Sequence, residues 1–201
     1  WIRHRTASIN EYSARYSVLD KEFYIPDAKN LAVQSVSNRQ GRGEVLSEKN
    51  SNEALEMLKK DAENCFDTYE YLLNEKSNGD IIDNNRDGLA RELARINLTL
   101  NTYTQWYWKT NLHNLMNFIS LRADSHAQYE IRVYADIIYD IMKAWVPITA
   151  EAFGSYRSGS IELSAEAIKV IKLMIAGKKI DQKSSGLSAR EWNELMSSLD
   201  K

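Results

Sequence analysis

The sequence predicts a predominantly helical protein with a minor extended component. Its 201 residues include only two prolines and eight glycines, the residues that most often end helices and form turns. Apolar residues also recur at steps of three and four along much of the chain, which is the spacing of one face of a helix. Long helices are therefore expected to dominate over a turn-rich sandwich of strands.

The composition is that of an ordinary globular protein, large enough for one domain with a small appendage. Hydrophobic residues make up 43% and charged residues 27%, and the formal net charge of -2 argues against a generally basic surface for nucleic acid. No apolar run reaches membrane-spanning length. The single cysteine, Cys65, excludes an intramolecular disulfide and favours a reducing, cytoplasmic compartment. The polar start at Trp1 predicts a fragment whose natural N-terminus lies outside this chain.

The first half of the chain predicts an extended segment, a loop and a long helix. Residues 22–26 read as a short extended segment ended by Pro26, and the polar residues 35–50 read as a mobile loop. Ser51 is the predicted N-cap of the helix. Its apolar face contains Leu55, Leu58, Ala62, Cys65, Tyr69 and Leu72.

Further helices are predicted beyond the polar break at residues 74–87. One runs through Leu89 and Leu93, and residues 111–121 have helical spacing after an aromatic segment at 101–108. A longer helix is predicted over residues 125–144. Its expected buried side consists of Ile131, Tyr134, Ala135, Ile138 and Met142.

The composition shifts after Phe153. Residues 154–160 have the small and polar character of a linker. Ser164 is a predicted helix cap, and Ser188 with Glu191 forms a capping-box pattern that opens a last short helix. We therefore expect a core over 1–153 and a helical extension over 154–201.

A first polar cluster spans residues 3–17. It combines three arginines, His4, several hydroxyls and the carboxylate of Glu11. Arginine presents a planar fork to phosphate, and serine hydroxyls or backbone N–H groups complete such a cradle. The alternative is a basic, flexible arm neutralised by solvent or by acidic neighbours, and the spacing alone favours that alternative.

A second polar cluster lies at residues 111–128. On a continuous helix, Asn114 would share a face with Asn117, and Arg122 with His126. Amide groups suit the donor and acceptor edges of a heterocycle. The alternatives are that His126 is a hydrogen-bonded core histidine and that Asp124 caps the following helix. The cluster comprises Asn111, His113, Asn114, Asn117, Arg122, Asp124, Ser125, His126 and Gln128.

Several familiar signatures are missing from the sequence. It contains no Gly-x-Gly-x-x-Gly, no P-loop lysine and no Gly-x-Ser-x-Gly, which are the dinucleotide, nucleoside triphosphate and hydrolase motifs. Three scattered histidines and one cysteine argue against a structural zinc site, so no metal is expected. The aromatic residues Tyr103, Trp106, Tyr107 and Trp108 could stack on a ligand ring, although core packing is commoner at this spacing.

Both polar clusters resemble one family. Arg3-His4-Arg5, followed by Ser13, is similar to the RHR-to-Ser signature of flavin-dependent thymidylate synthases (ThyX). Agreement continues in Phe23-Tyr24-Ile25-Pro26, in Gln40-Gly41 and in residues 90–95, 115–118 and 121–131. The resemblance covers Trp1 to about Phe153. It implies the α/β (α+β) ThyX-like fold, mostly helical in this portion, with a small antiparallel sheet contribution near residues 1–12.

The resemblance also implies an activity, its cofactors and its partners. The family converts dUMP to dTMP with methylenetetrahydrofolate as carbon donor and FADH2, reduced by NADPH, as hydride donor. A homotetramer with active sites shared between subunits is implied, with no nucleic acid or membrane as partner. The implied FAD-binding residues are Arg3, His4, Arg5, Glu11, Asn111, His113, Asn117 and His126. The implied dUMP-binding residues are Ile2, Arg3, Glu11, Tyr12, Ser13, Ala14, Arg15, Arg95 and Arg122.

Arg122 matches the arginine that activates the uracil in the family, and the residues agree with that role. Cys65 lies on the apolar stripe of a helix, which argues against a thiolate nucleophile. A guanidinium bonded to the base would instead stabilise the deprotonated or enolate-like uracil. Ser13 has no neighbouring base in sequence and is therefore expected to be a ligand rather than a nucleophile.

Two positions depart from the family pattern. Arginine is common at the position of His113, which predicts a weaker or pH-sensitive flavin contact, and Thr99 replaces a common proline.

The favoured function, an active flavin-dependent synthase, has two alternatives. One alternative is a catalytically impaired flavin- and nucleotide-binding module of the same fold. The other is a helical nucleic-acid-binding protein. Retention of Arg122, Arg95 and Arg15 favours the active enzyme over the impaired module.

Overall fold

The computed structural model describes residues 1–36, 41–124 and 126–199. The chain divides into two compact units, Trp1–Ile138 and Tyr139–Lys201. Helices predominate, and the strands are short and antiparallel, as the sequence predicts. The predicted division at residue 153 concerns the extent of a synthase core and stays a prediction.

Two strand pairs form the sheet content of the first unit. Strand β1 (Ser8–Glu11) pairs with β4 (Trp106–Lys109), with Ile9 opposite Trp108. Strand β2 (Ala32–Gln34) pairs with β3 (Arg42–Val45). The prediction of one loop over residues 35–50 is therefore wrong at its C-terminal end, because β3 gains a backbone partner in β2. The loop residue Gln40 lies outside the described residues.

Helix α1 (Glu48–Leu73) begins earlier than predicted. The hydroxyl of Ser47 accepts a hydrogen bond from the backbone N–H of Asn50, so Ser47 is the N-cap. Ser51 is buried inside the first turns, and its prediction as the cap is wrong. The buried face consists of Ala62, Phe66, Tyr69 and Leu73 together with Ser51, whereas Leu58 is 44% exposed. The prediction is therefore correct for Ala62 and Tyr69 and wrong for Leu58. Cys65 and Leu72 are half-buried, each one residue before a buried side chain.

The core of the first unit forms where α1 meets the segment after β1. Its buried members are Leu19, Phe66, Tyr69, Leu73 and Ala94, and Phe23 packs against them. The ring centroids of Phe66 and Phe23 are 5.7 Å apart at a T-shaped angle. The Tyr69 hydroxyl accepts from the backbone N–H of Leu19 at 3.3 Å, and burial raises the pKa of Tyr69. This core therefore holds the segment that follows the first polar cluster.

Asn74 ends α1 in the left-handed conformation, with φ at 58°, and organises the loop that follows. Its buried amide donates to the carbonyls of Asp83 and Arg86 at 2.7 and 2.5 Å and accepts from the Asp83 N–H at 2.9 Å. Close packing continues at Gly88, where an added Cβ would lie 1.9 Å from the Leu73 carbonyl oxygen. The polar break seen in sequence is therefore an ordered loop.

We expect Asn74→Ala to lower the free energy of unfolding by about 1–3 kcal/mol, since it leaves buried backbone groups without partners. Alanine also tolerates the left-handed conformation poorly. Asn74→Gly is the matched control, because glycine accepts that backbone and loses only the side-chain hydrogen bonds. Urea unfolding measures both variants. Wild-type stability in Asn74→Ala would contradict this role.

The remaining helices of the first unit frame the second polar cluster. Helix α2 (Arg91–Ala94) is followed by a 3-10 turn over Arg95–Asn97, so the helix predicted through Leu89 is shorter than expected. The reason is that the Leu89 N–H donates to the carbonyl of Leu72 instead of to a helical partner. Helix α3 spans Leu112–Arg122, close to the predicted range.

Helix α4 spans Tyr129–Trp145 and crosses the division between the two units. It begins four residues after the predicted start at Ser125, which lies outside the described residues. Ala135 and Met142 are buried as predicted. Tyr134 is 50% exposed, so its assignment to the buried side is wrong.

An ion pair ties the β2–β3 hairpin to the start of α4. Arg42 donates to both carboxylate oxygens of Glu130 at 2.5 and 2.6 Å, and the Tyr24 hydroxyl donates to the same group at 3.0 Å. Burial and the bond to Glu130 raise the pKa of Tyr24 to about 12. Burial is the largest single effect and opposes ionisation of Glu130. The hydrogen bonds from Arg42, from the backbone N–H of Glu130 and from Tyr24, with the Arg42 charge, together outweigh burial and lower the pKa of that carboxyl.

The second unit continues with α5 (Pro147–Phe153), α6 (Ala165–Ile175), α7 (Gln182–Ser185) and α8 (Ala189–Leu199). A π-helical turn over Gly154–Ser158 extends α5, so the prediction of a linker there is wrong. Ser164 caps α6 as predicted, accepting from the Ala167 N–H at 3.1 Å. The predicted capping box is confirmed by reciprocal bonds between Ser188 and Glu191. The buried core contains Ala167, Val170, Leu187 and Leu195.

None of the helices in the described ranges combines the length and the apolar character that a membrane span requires.

Candidate functional site

Strand β1 separates the predicted site residues into two groups. Arg3, His4 and Arg5 precede it. The second group, called the group after β1, begins at Glu11, the last residue of the strand and the partner of Trp106, and continues to Arg15. The ladder extends one step further, because the N–H of Tyr12 donates to the carbonyl of Gln105 at 2.8 Å. Both groups are thus held by one pair of antiparallel strands.

The group after β1 lines an open cavity of about 330 Å³. Arg95, from the 3-10 turn after α2, lines the same cavity although it is remote in sequence. Five of the residues that the family resemblance assigns to dUMP therefore share one cavity. The lining consists of Glu11, Tyr12, Ser13, Ala14, Leu19, Arg95, Leu98, Thr102, Tyr103 and Thr104.

Hydrogen bonds orient the polar groups around this cavity. The Thr104 hydroxyl donates to the Glu11 carboxylate at 3.0 Å, and the Ser13 hydroxyl accepts from the Arg15 N–H at 3.3 Å. The Arg15 guanidinium lies 3.5 Å from the Glu92 carboxylate, and both side chains are more than half exposed. An exposed pair of this kind contributes little to stability, so Arg15 can exchange Glu92 for an anion.

Sequence reasoning missed several of the lining residues. Thr104 and Thr102 carry no motif that separates them from loop residues, and only the fold brings them beside Glu11. Tyr103 belongs to the aromatic segment that the sequence singled out, but the residues of that segment have different surroundings in the structure. Tyr103 lines the cavity. The ring centroids of Trp106 and Trp108 lie 6.0 and 5.9 Å from that of Trp1, while the Tyr107 side chain is exposed.

The group before β1 meets the C-terminal end of α3. The Arg122 Nε–H donates to the Nε2 atom of His4 at 2.7 Å, and both side chains are half-buried. The His4 ring lies edge-on to buried Phe118, with centroids 4.8 Å apart. Burial and the neighbouring Arg122 cation lower the pKa of His4. The structure therefore places Arg122 and His4 in direct contact.

The start of α3 is tied to the same segment. Asn111 caps the helix, its amide oxygen accepting from the Asn114 N–H at 2.9 Å. Asn114 and Thr110 then donate to the carbonyl of Thr6 at 3.3 and 3.1 Å. Asn111, His113 and Asn117 are exposed, while Asn114, which donates to Thr6, is half-buried.

His126 and Asp124 form a separate exposed pair. Helix α3 ends at Arg122, so His126 does not share a helix face with it, and the predicted pairing is wrong. The His126 side chain is 83% exposed, so the core-histidine reading is also wrong. Asp124 accepts from the His126 N–H and ring at 2.8 and 2.9 Å, and these bonds lower the pKa of Asp124. Asp124 thus caps a turn and not α4, which begins at Tyr129.

The cations before β1 are available to an anionic group. Arg3 and Arg5 are exposed, and within the described ranges neither pairs with a carboxylate. Ile2 is exposed and lies outside the cavity lining. Arg122 and His4 are not among the lining residues either. No group of three or more His, Cys, Asp or Glu side chains suited to a metal occurs in the described part of the chain.

A family model described as thymidylate synthase complementing protein matches residues 1–148. The chain belongs to the flavin-dependent thymidylate synthase family. The relative from Gluconobacter oxydans strain 621H, named flavin-dependent thymidylate synthase, is 58% identical over 200 residues. That match covers 100% of this chain and 63% of the relative. A relative of the same name from Rickettsia bellii is 56% identical over 97% of this chain and 67% of its own length.

Solved structures confirm the fold class expected for this synthase family. A UMP/dUMP methylase, PolB from Streptomyces cacaoi bound with 5-Br UMP, superimposes with a TM-score of 0.67 at 33% identity, covering 77% of this chain and 66% of that one. The same protein bound with 5-Br dUMP gives 0.63 at 32% identity, covering 77% and 64%. The family resemblance read from the sequence is thereby confirmed.

Proposed function

We propose that this chain is the nucleotide-binding part of an enzyme that converts dUMP to dTMP. Methylenetetrahydrofolate supplies the carbon, and FADH2, reduced by NADPH, supplies the hydride. The proposal is supported by family membership and by the names of the relatives and of the UMP/dUMP methylase. The chain spans 63% of the length of the Gluconobacter relative.

The cavity lined by residues 11–14 and Arg95 is the observation that carries the proposal. Its volume of about 330 Å³ lies in the range of small-ligand sites. Arg95 and the Ser13 hydroxyl on its wall suit a phosphate, and Arg15 joins them once it leaves Glu92. Glu11, held by Thr104, can accept hydrogen bonds from a sugar or a base. Tyr12 and Ala14 complete the wall, while Ile2 and Arg3 would contact the nucleotide from outside it.

The exposed cations and amides of the other group fit a flavin dinucleotide. Arg3 and Arg5 provide exposed guanidinium forks for its pyrophosphate. The exposed residues of α3 and the following turn offer donors and acceptors for its ring, and bound flavin would supply the hydride. The residues proposed to hold FAD are Arg3, His4, Arg5, Glu11, Asn111, His113, Asn117 and His126.

Arg122 is the proposed catalytic residue. Its Nε–H is committed to His4, which leaves its terminal nitrogens able to donate to the uracil edge. A fixed cation there lowers the free energy of the deprotonated or enolate-like base, because it meets charge that develops in the transition state. Carbon C5 then gains enough electron density to attack the one-carbon unit.

This mechanism needs no enzyme thiolate, and the position of Cys65 supports that. Cys65 is half-buried on α1, and it is absent from the lining of the cavity. We expect Cys65→Ala to retain dTMP formation and to lower the free energy of unfolding by about 1 kcal/mol. Steady-state assays and urea unfolding measure the two effects. A folded Cys65→Ala enzyme without activity would contradict the mechanism.

The separation of the two groups favours active sites completed by another subunit. In one chain, Glu11 to Ala14 and Arg95 share a cavity that does not include His4 or Arg122. We therefore propose a homotetramer whose subunits contribute different groups to each site. The proposed synthase core is 1–153, consistent with the family match to 1–148, and 154–201 is a helical extension.

A second candidate is an impaired module of the same fold that binds flavin and nucleotide without turnover. The exposed histidine at position 113, where arginine is common in the family, is the observation that favours it. One experiment decides between the two. The full-length protein is purified, its flavin spectrum is recorded, and NADPH oxidation and dTMP formation are measured with and without dUMP and methylenetetrahydrofolate.

Production of dTMP that requires both substrates supports the enzyme. A yellow protein that binds dUMP but makes no dTMP supports the impaired module. A colourless protein that FAD does not reconstitute contradicts both.

A further inference from the structure

We propose that His4 is a positioning residue for Arg122, and that it holds the guanidinium by accepting the Arg122 Nε–H. This inference deepens the proposed function and rests on it for the role of Arg122. It adds to the flavin contact that is proposed for His4 a second role, which is to position the guanidinium of Arg122.

The contact geometry leaves the reactive end of the guanidinium free. The Arg122 Nε atom lies 2.7 Å from His4 Nε2, a short distance for a hydrogen bond from a cation. Arginine has five N–H donors, so the four on its terminal nitrogens stay available. Arg122 is the last residue of α3, where the helix no longer restrains a long side chain on both sides. An acceptor at Nε therefore restricts the torsions that the helix end leaves open.

Aromatic packing fixes the acceptor. The His4 ring lies edge-on to Phe118, which is fully buried one turn before Arg122 on α3. The rings of Trp1 and Trp108 each lie 5.2 Å from Phe118. Trp108 is in turn held by β4, opposite Ile9. The imidazole cannot turn away from Arg122 without disturbing this cluster.

The contact requires neutral His4. Its Nε2 atom accepts, so the ring proton is assigned to Nδ1 from this hydrogen bond. Among the described residues, the charged side chain that lowers the pKa of His4 is Arg122, from α3. Burial, followed by Arg122, lowers the pKa of His4, so the ring stays neutral through the neutral range. Protonation would remove the acceptor and set a second cation against Arg122.

Acidification is therefore expected to release Arg122. The group is a base with a lowered pKa in the folded state, so the contact is complete above the ordinary histidine range. It is lost as the pH falls through the lowered value. The rate of dTMP formation should then show an acid limb that belongs to His4.

The test uses the full-length, flavin-loaded protein with His4→Ala, His4→Gln, Arg122→Ala and the double variant of His4→Ala with Arg122→Ala. Glutamine can accept from Nε through its amide oxygen and does not titrate. We expect His4→Ala to lower kcat about 10-fold or more, the loss expected for a hydrogen bond to a charged group. His4→Gln should recover part of that rate and lack the acid limb.

The double variant separates positioning from other roles. If His4 acts through Arg122, adding His4→Ala to Arg122→Ala causes no further loss. Independent losses that multiply in the double variant would overturn the proposal. A normal rate in His4→Ala once FAD is saturating would limit His4 to flavin binding and would also overturn the proposed positioning role.

A matched control is His126→Gln, because that exposed imidazole contacts Asp124 and not Arg122. The acid limb should persist in this variant, whatever its absolute rate, and its disappearance would contradict the assignment to His4. Thermal unfolding checks each variant, and His4→Gln carries the test if His4→Ala does not fold. If the wild type makes no dTMP, the proposed function fails. The same double-mutant cycle is then measured on dUMP affinity by calorimetry, where absence of coupling would overturn the present inference by itself.

Discussion

Arg122→Ala is expected to lower the rate of dTMP formation by about 10²–10³-fold, the usual cost of removing one donor that stabilises transition-state charge. Arg122 is half-buried and its position is set by His4 through a 2.7 Å hydrogen bond. The variant removes the only feature of the proposed mechanism that raises electron density at C5 of the uracil. Single-turnover measurement of dTMP, starting from reduced enzyme, isolates this step from flavin reduction.

Flavin content and folding are the necessary controls for that result. FAD should remain bound, because Arg3, Arg5 and the exposed residues of α3 are unchanged in the variant. Arg157→Ala is the matched control, since Arg157 is an exposed arginine in the π-helical turn of the second unit. Its rate should equal that of the wild type. A flavin-loaded Arg122→Ala protein with the same rate as Arg157→Ala would exclude Arg122 as the activating group.

Phe66→Ala is expected to have the largest effect on stability, with a loss of about 3–5 kcal/mol in the free energy of unfolding. Phe66 is 0% exposed at the centre of the first unit's core, with the rings of Phe23 and Tyr69 at 5.7 and 5.4 Å. Its removal leaves a cavity among residues that the helix and two separate segments hold in place. Urea unfolding followed by tryptophan fluorescence measures the change.

Met57→Ala on the same helix provides the comparison for Phe66→Ala. Met57 is 60% exposed, so its truncation should change the free energy of unfolding by no more than about 0.5 kcal/mol. The difference between the two variants separates core packing from helix propensity. A loss below about 1 kcal/mol in Phe66→Ala would mean that the core relaxes around the deletion.

Helix positions were predictable where local rules decide them. Ser164 and the Ser188–Glu191 box cap their helices as expected, because capping depends on residues within one turn. The sequence predicted Ser51 as the cap of α1, whereas the structure has Ser47. Both are serines before an apolar run, and only burial distinguishes them. Residues 154–160 look like a linker by composition, yet part of them extends a helix.

The site was predictable residue by residue only through family resemblance. Glu11, Ser13 and Arg95 were assigned to the nucleotide in that way, and the fold brings them to one cavity. Spacing alone predicted that Arg122 and His126 share a helix face, and this is wrong because the helix ends at Arg122. The contact between His4 and Arg122 joins residues that are 118 positions apart in the sequence, and helical periodicity carries no information about such a pair.

The sequence by itself determined the helical character, the caps of α6 and α8, the absence of an intramolecular disulfide and membership in the synthase family. These follow from composition, from patterns within a few residues and from motifs that are readable in order along the chain. The tertiary structure alone decided which polar groups meet: Arg95 with Ser13 around a cavity, and His4 with Arg122 beside Phe118. The physical reason is that strand pairing and ring packing bring distant segments together, and these contacts have no fixed spacing in the chain.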